Sequence, residues 1–204
     1  EDYNNNLEFI IPEGFNFAYD VMDAWAAEAP EKLAILWTND QGDEIRTTYG
    51  ELKEQTDQAA SYLMSLGIGK NDPVMFILKR RYEWWMVMLA LHKIGAIVIP
   101  ATHMLTKHDI VYRNTRASVK AIICVDDPYV TEQIKLAMSE SPTVDTLIAV
   151  TDHGKPIPEG FHDWQSEWKQ APQFVRPKHV NDNSDTMLMY FTSGTSGEPK
   201  MVAH

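Results

Sequence analysis

A chain of 204 residues is long enough for one domain with a sizeable core, and an apolar content of 44% excludes wholesale disorder. The formal net charge of −11 argues against nucleic acid or an anionic membrane surface as partners, since either would be repelled. A polyanionic small molecule would need cations and donors gathered at one place.

In chain order, Pro12-Glu13-Gly14 turns into a first helix over residues 17–29, on which Phe17, Val21, Trp25 and Ala29 line one face. Residues 33–38 and 45–48 read as two short strands about a turn. Thr48 and Glu51 have capping-box spacing, so a helix starts at Tyr49; Leu52, Ala59, Leu63 and Leu66 give it an apolar face, and Gly67 stops it. Residues 74–78 form an apolar run suited to a strand buried on both faces. A helix over 82–94 ends at Gly95, and a strand over 97–99 ends at Pro100. Thr106 and Asp109 repeat the cap for a helix to about Ala117.

A strand over 121–125 holds Cys124, the single cysteine. It has no intrachain partner for a disulfide, and its apolar neighbours predict burial in a reducing, cytoplasmic setting. Asp127-Pro128 opens a helix to about Ser139, and residues 146–150 return as a strand. This alternation, with right-handed crossovers, predicts an α/β fold: a three-layer αβα arrangement with a mostly parallel sheet. From 152 to 185 prolines punctuate a polar stretch with one short helix near 161–170, after which 186–191 is expected to be another buried strand. No apolar run approaches membrane-spanning length, and no signal pattern opens the chain, so no membrane insertion is expected.

The last strand runs into Thr192-Ser193-Gly194-Thr195-Ser196-Gly197-Glu198-Pro199-Lys200. Glycines let backbone N–H groups converge, hydroxyls add donors and one lysine adds charge, which together suit a polyphosphate. The spacing is not that of the Gly-x-x-x-x-Gly-Lys-Ser/Thr loop, because Glu198 and Pro199 separate Gly197 from Lys200 and Met201 stands where a hydroxyl would be. Nor is it the dinucleotide fingerprint, since Pro199 disfavours an immediate helix.

Other candidates have simpler readings. Lys79, Arg80 and Arg81 follow a strand where ligands often bind, but read as a solvated helix entrance. Trp84 and Trp85 fit a helix with one ring in the core and one at its margin; Met86 and Met88 fit core filling. Asp126 and Asp127 are explained by capping beside Pro128. His92, His103 and His108 lack partners at ligand spacing, so no metal site is assigned.

Residues 192–202 resemble the signature loop of the adenylate-forming superfamily of acyl-CoA synthetases, peptide-synthetase adenylation domains and luciferases, commonly written Thr-Ser-Gly-Thr-Thr-Gly-x-Pro-Lys-Gly-Val. Ser196 replaces a Thr and keeps its hydroxyl, while Met201 replaces a Gly, and Pro-Lys-Met-Val is similar to medium-chain acyl-CoA synthetases. Thr48-Tyr49-Gly50-Glu51-Leu52 resembles the family's Thr-Tyr-x-Glu-Leu, which helix capping also explains. Leu91-His92-Lys93-Ile94-Gly95 through Pro100 resembles its Lys-x-Gly-x-x-x-x-Pro. Phe15-Asn16-Phe17-Ala18, Glu83-Trp84-Trp85 and Asp109-Ile110-x-Tyr112-Arg113 extend the likeness over residues 15–204.

The resemblance implies that residues 1–204 are the amino-terminal part of an AMP-binding (adenylation) domain, ending just after the phosphate loop and without the carboxy-terminal domain. It implies formation of an acyl-adenylate from ATP and a medium- or short-chain fatty acid, then transfer to coenzyme A, with Mg²⁺ as cofactor. Thr192, Ser193, Gly194, Thr195, Ser196 and Gly197 would contact phosphate, and Lys200 would hold the outer phosphates as the catalytic cation. The family's adenine and acyl pockets, magnesium-binding Glu, ribose-binding Asp, hinge and second lysine fall outside these residues. The stretch alone is therefore expected not to catalyse, since a loop on one side of two substrates cannot impose near-attack geometry. Expected partners are small molecules only. An aryl-CoA ligase, a peptide-synthetase adenylation domain, and a self-standing nucleotide- or protein-binding module stay open as alternatives.

Overall fold

The computed structural model describes residues 11–151, 155–193 and 197–204. Ala18–Asp23 wind as a π-helical segment that runs into α1 (Ala24–Glu28), together covering the predicted first helix. β1 (Leu33–Thr38) and β2 (Glu44–Thr48) form an antiparallel hairpin. α2 (Tyr49–Ser65) starts at a complete capping box: Glu51 N donates to Thr48 Oγ1, and Thr48 N donates to the Glu51 carboxylate at 2.8 Å.

Strand and helix then alternate as β3 (Pro73–Ile77), α3 (Glu83–Lys93), β4 (Ile97–Pro100), α4 (Lys107–Ala117), β5 (Ala121–Val125), α5 (Pro128–Ala137) and β6 (Thr146–Val150). β7 (His162–Asp163) joins the edge, giving a five-stranded sheet of order β4-β3-β5-β6-β7 in which every pairing is parallel. The right-handed rule puts α3 on one face, and α4 and α5, which follow connections running the opposite way, on the other. β3 and β5 are paired on both sides, so their apolar runs, with Cys124 among them, are buried throughout β5 and nearly so in β3. Burial pushes the Cys124 thiol far above its ordinary range, which leaves it inert.

Two details depart from the sequence reading. Residues 162–163 pair as β7 ahead of α6 (Trp164–Glu167), a strand too short to leave any periodicity. β8 (Met189–Thr192) is not a buried strand: its partner is β9 (Lys200–Ala203) in an antiparallel hairpin, and Tyr190 remains 41% exposed. The hairpin meets the main sheet through the parallel bridge Val98–Leu188, where Val98 N donates to Met187 O at 3.0 Å. The apolar run met the core on one side only. The strand after Pro199 agrees with the expectation that no helix would follow the loop.

Gly95 illustrates how the chain returns over the sheet. Its φ is +71°, and a Cβ there would sit 2.4 Å from Val180 O, so helix end and crossing segment both demand glycine.

Candidate functional site

β8 runs parallel to β4, so the loop after it lies at the same end of the sheet as the turns after β3, β4 and β5. That carboxyl end is where doubly wound sheets bind ligands. Thr192 pairs with Lys200 across the hairpin, and Thr192, Ser193 and Lys200 are exposed. Gly197 adopts φ +97° with open space where a Cβ would be, a conformation that favours glycine. Gly194, Thr195 and Ser196 fall outside the described residues. Among the described residues no carboxylate pairs with the Lys200 ammonium, whereas neighbouring Glu198 faces His108 at 3.4 Å. Exposed hydroxyls, an open glycine and an uncompensated lysine fit a polyphosphate.

The strand order reverses between β3 and β5, because β3 feeds β4 on one side and β5 feeds β6 on the other. Lys79 stands at that point with φ +50° and places Nζ 2.6 Å from Asp127 Oδ2. Asp127 also caps α5, accepting from Tyr129 N and Val130 N. The Lys79 hydrogen bond, joined by those N–H groups, holds its carboxyl below the ordinary carboxylate range. Arg81 pairs with Glu83 at 2.9 Å and Lys155 with Asp126 at 3.6 Å. These cations are already matched by carboxylates, in agreement with a solvated helix entrance. Beside them a cleft of about 540 Å³ opens between Leu78, Arg80, Trp84, Thr102 and His103. Trp84 packs T-shaped against Phe76 while Trp85 stays at the margin, 49% exposed. Met86 is buried, and Met88 packs against the core.

The third of the candidate histidines, His92, lies on α3 near the opposite end of the sheet. It is buried, neither ring nitrogen is hydrogen-bonded among the described residues, and burial pushes it down to about 4. A second concavity of about 210 Å³ lies at that amino-terminal end, between Phe15, Asn16, His92, Ala96 and Met187, remote from the loop. Among the described residues no three His, Cys, Asp or Glu side chains are grouped to hold a metal.

The structure brings Thr192, Ser193, Gly197 and Lys200 together on one hairpin, and adds two features that the sequence reading lacked. One is the cleft beside Arg80 and His103, formed by turns that are some twenty residues apart in the chain. The other is the approach of α4 to the hairpin through Tyr112 and Phe191, whose ring centroids are 6.1 Å apart. The segment around Tyr112 was visible as a family-like pattern, but nothing local tied it to the loop.

Residues 22–204 match the family described as AMP-binding enzyme. The chain is 34% identical over 201 residues to acyl-coenzyme A synthetase ACSM5, mitochondrial, of Homo sapiens, covering 96% of this chain and 34% of that protein. It is 36% identical over 202 residues to acyl-coenzyme A synthetase ACSM1, mitochondrial, of Mus musculus, covering 95% and 34%. The chain thus spans about a third of the length of these curated relatives. Its fold matches the crystal structure of a Brucella canis acyl-CoA synthetase with a TM-score of 0.79 at 22% identity, covering 93% of this chain and 33% of that one. It also matches the anthranilate CoA ligase AuaEII, solved in complex with anthranoyl-AMP, with a TM-score of 0.83 at 19% identity, covering 95% and 35%.

Proposed function

The chain belongs to the AMP-binding enzyme family, and from that premise we propose that it is the amino-terminal part of the adenylation domain of an acid–CoA ligase. The ligase activates a carboxylic acid as its acyl-adenylate and passes the acyl group to coenzyme A. The observation that carries this reading is the loop over 192–202, whose Lys200 is exposed and, among the described residues, uncompensated at the carboxyl end of the sheet. Thr192, Ser193, Thr195 and Ser196 supply hydroxyl donors, Gly194 and Gly197 permit close backbone approach, and Lys200 meets the charge that gathers on departing pyrophosphate. Donors placed before reaction lower the barrier without reorganising during it.

A medium- or short-chain fatty acid is the proposed substrate class, supported by the resemblance carried by Pro199-Lys200-Met201-Val202, while the relatives' names, acyl-coenzyme A synthetases, support an acyl substrate in general. ATP, Mg²⁺ and coenzyme A complete the set, with the metal held outside the described residues. The relatives are named mitochondrial, and a buried lone thiol at Cys124 suits a mitochondrial matrix as well as a cytosol. We place the reacting geometry partly beyond these 204 residues, so the stretch alone is inactive.

The test is carboxylate-dependent exchange of labelled pyrophosphate into ATP by the full-length gene product, its Lys200→Ala variant and residues 1–204, across fatty acids from acetate to decanoate and aryl acids. Full-length protein is expected to exchange, Lys200→Ala to lose roughly a hundredfold as a lost charge-stabilising contact does, and the 204-residue stretch to show nothing. A folded full-length protein that exchanges with no acid would overturn the ligase reading.

A further inference from the structure

Helix α4 grips both strands of the hairpin that carries the phosphate loop. The Tyr112 hydroxyl, half-buried, donates to the Pro199 carbonyl at 2.8 Å, and its ring meets Phe191 edge-on at 72°. Arg113 holds its guanidinium 5.2 Å from the centre of the same Phe191 ring, braced by Nη1 donating to Asp109 O at 3.0 Å. Phe191 lies in β8 where the chain enters the loop, and Pro199 lies where it comes back, one residue before β9.

The identity of the atom that Tyr112 holds matters. The Pro199 carbonyl belongs to the peptide unit whose nitrogen is that of Lys200. Anchoring it fixes the backbone from which the lysine side chain departs, the side chain otherwise being exposed and unpaired among the described residues. The anchor is firm because α4 is itself held at several points. Thr106 and Asp109 close a capping box at its start, and Lys107 N donates to Gln133 Oε1 of α5 at 2.7 Å. Ile110 and Asn114 are buried, with Asn114 Nδ2 donating to Ser141 Oγ at 3.0 Å. A hydroxyl on a rigid helix therefore sets the position of a residue on an exposed hairpin.

We propose that Tyr112 is a positioning residue for the phosphate loop, its hydroxyl setting where Lys200 stands when a nucleotide triphosphate binds. The proposal rests on reading that loop as the nucleotide site. Its bland counterpart is that Tyr112 merely packs on Phe191, and Tyr112→Phe separates the two because it keeps the ring and removes only the hydroxyl.

In the full-length protein, Tyr112→Phe should raise the KM for ATP in pyrophosphate exchange about fivefold, the worth of one neutral hydrogen bond, and leave the KM for the acid unchanged. Tryptic cleavage after Lys200 should quicken by a similar factor relative to cleavage after the other lysines. A merely structural tyrosine would lower the yield of active protein without moving either ratio. Wild-type exchange together with variant values equal to wild type in both ATP KM and relative cleavage would overturn the proposal. Absence of exchange in the wild type would strike the nucleotide reading, while the cleavage ratio still decides whether the hydroxyl anchors the hairpin.

Discussion

His92 shows what a single side chain can do to stability without taking part in chemistry. The residue is 3% exposed with both ring nitrogens unpartnered among the described residues, and burial brings its pKa from 6.5 to about 4. Between those values the unfolded chain takes up a proton that the native state refuses. Stability is therefore full above pH 6.5, falls as the pH drops toward 4 and levels off below, a total of about 3 kcal/mol. His92→Leu removes the titrating group and no hydrogen bond. Urea unfolding should show wild type losing about 2 kcal/mol more than the variant between pH 7 and pH 4.5. Parallel losses would mean that the ring is not held neutral. The sequence showed a histidine without ligand partners and led to no metal assignment, but its isolation depends on what surrounds α3, which no local pattern records.

At the scale of elements, a buried cation joins three helical segments. Lys93 on α3, 1% exposed at its side chain, places Nζ 2.9 Å from Asp23 Oδ1 at the end of the π-helical segment and 2.6 Å from Asp57 Oδ1 on α2. Burial raises the Asp23 carboxyl even against the attraction of Lys93. The Tyr19 hydroxyl donates to the Lys93 carbonyl at 2.8 Å, so backbone and side chain of one residue both tie down the first helix. Lys93→Met would take the direct cation from Asp23, while Asp57 keeps Lys53 at 2.5 Å, so the cost should be about 2–3 kcal/mol, below the roughly 3–5 kcal/mol of a buried ion pair broken from one side. Lys93→Met with Asp23→Asn should recover part of that in thermal or urea unfolding. A single variant as stable as wild type would show that the pair carries no net stability. The lysine was legible as part of a Lys-x-Gly pattern, and the helices to either side were legible from periodicity. The two aspartates that meet it were not, being 70 and 36 residues away in the chain.

Across the whole molecule, stability concentrates in the parallel sheet and thins toward the hairpin. β3, β5 and β6 are each paired on both sides and lie in the buried core, while β8 and β9 pair with one another and reach β4 through the Val98–Leu188 bridge. Amides that open only with the core exchange near the global free energy, and thinly packed ones exchange sooner. Hydrogen exchange should therefore find the β3, β5 and β6 amides slowest, with those of Phe191, Thr192 and Met201 faster by orders of magnitude. Equal protection would mean that the hairpin is part of the core unit. A chain of net charge −11 does not draw an anion to itself as a whole, so the proposed polyphosphate site depends on local donors held on that hairpin.

Local chemistry determined much of this protein from sequence alone. The capping boxes at Thr48 and Thr106 are interactions between residues three apart, the buried strands at 74–78 and 121–125 are continuous apolar runs, and the glycines and lysine of the final loop follow one another directly. Each is a short-range relation, so the alternation of elements and the three-layer class were readable. Only the tertiary structure decided which strand accompanies β8, that β7 exists, that Lys93 meets Asp23 and Asp57, and that Tyr112 holds Pro199 across 87 positions of chain. Those contacts arise from where the crossovers deliver each helix. Their energy comes from desolvation and hydrogen bonding between distant segments, which leaves no period or motif in the residues themselves.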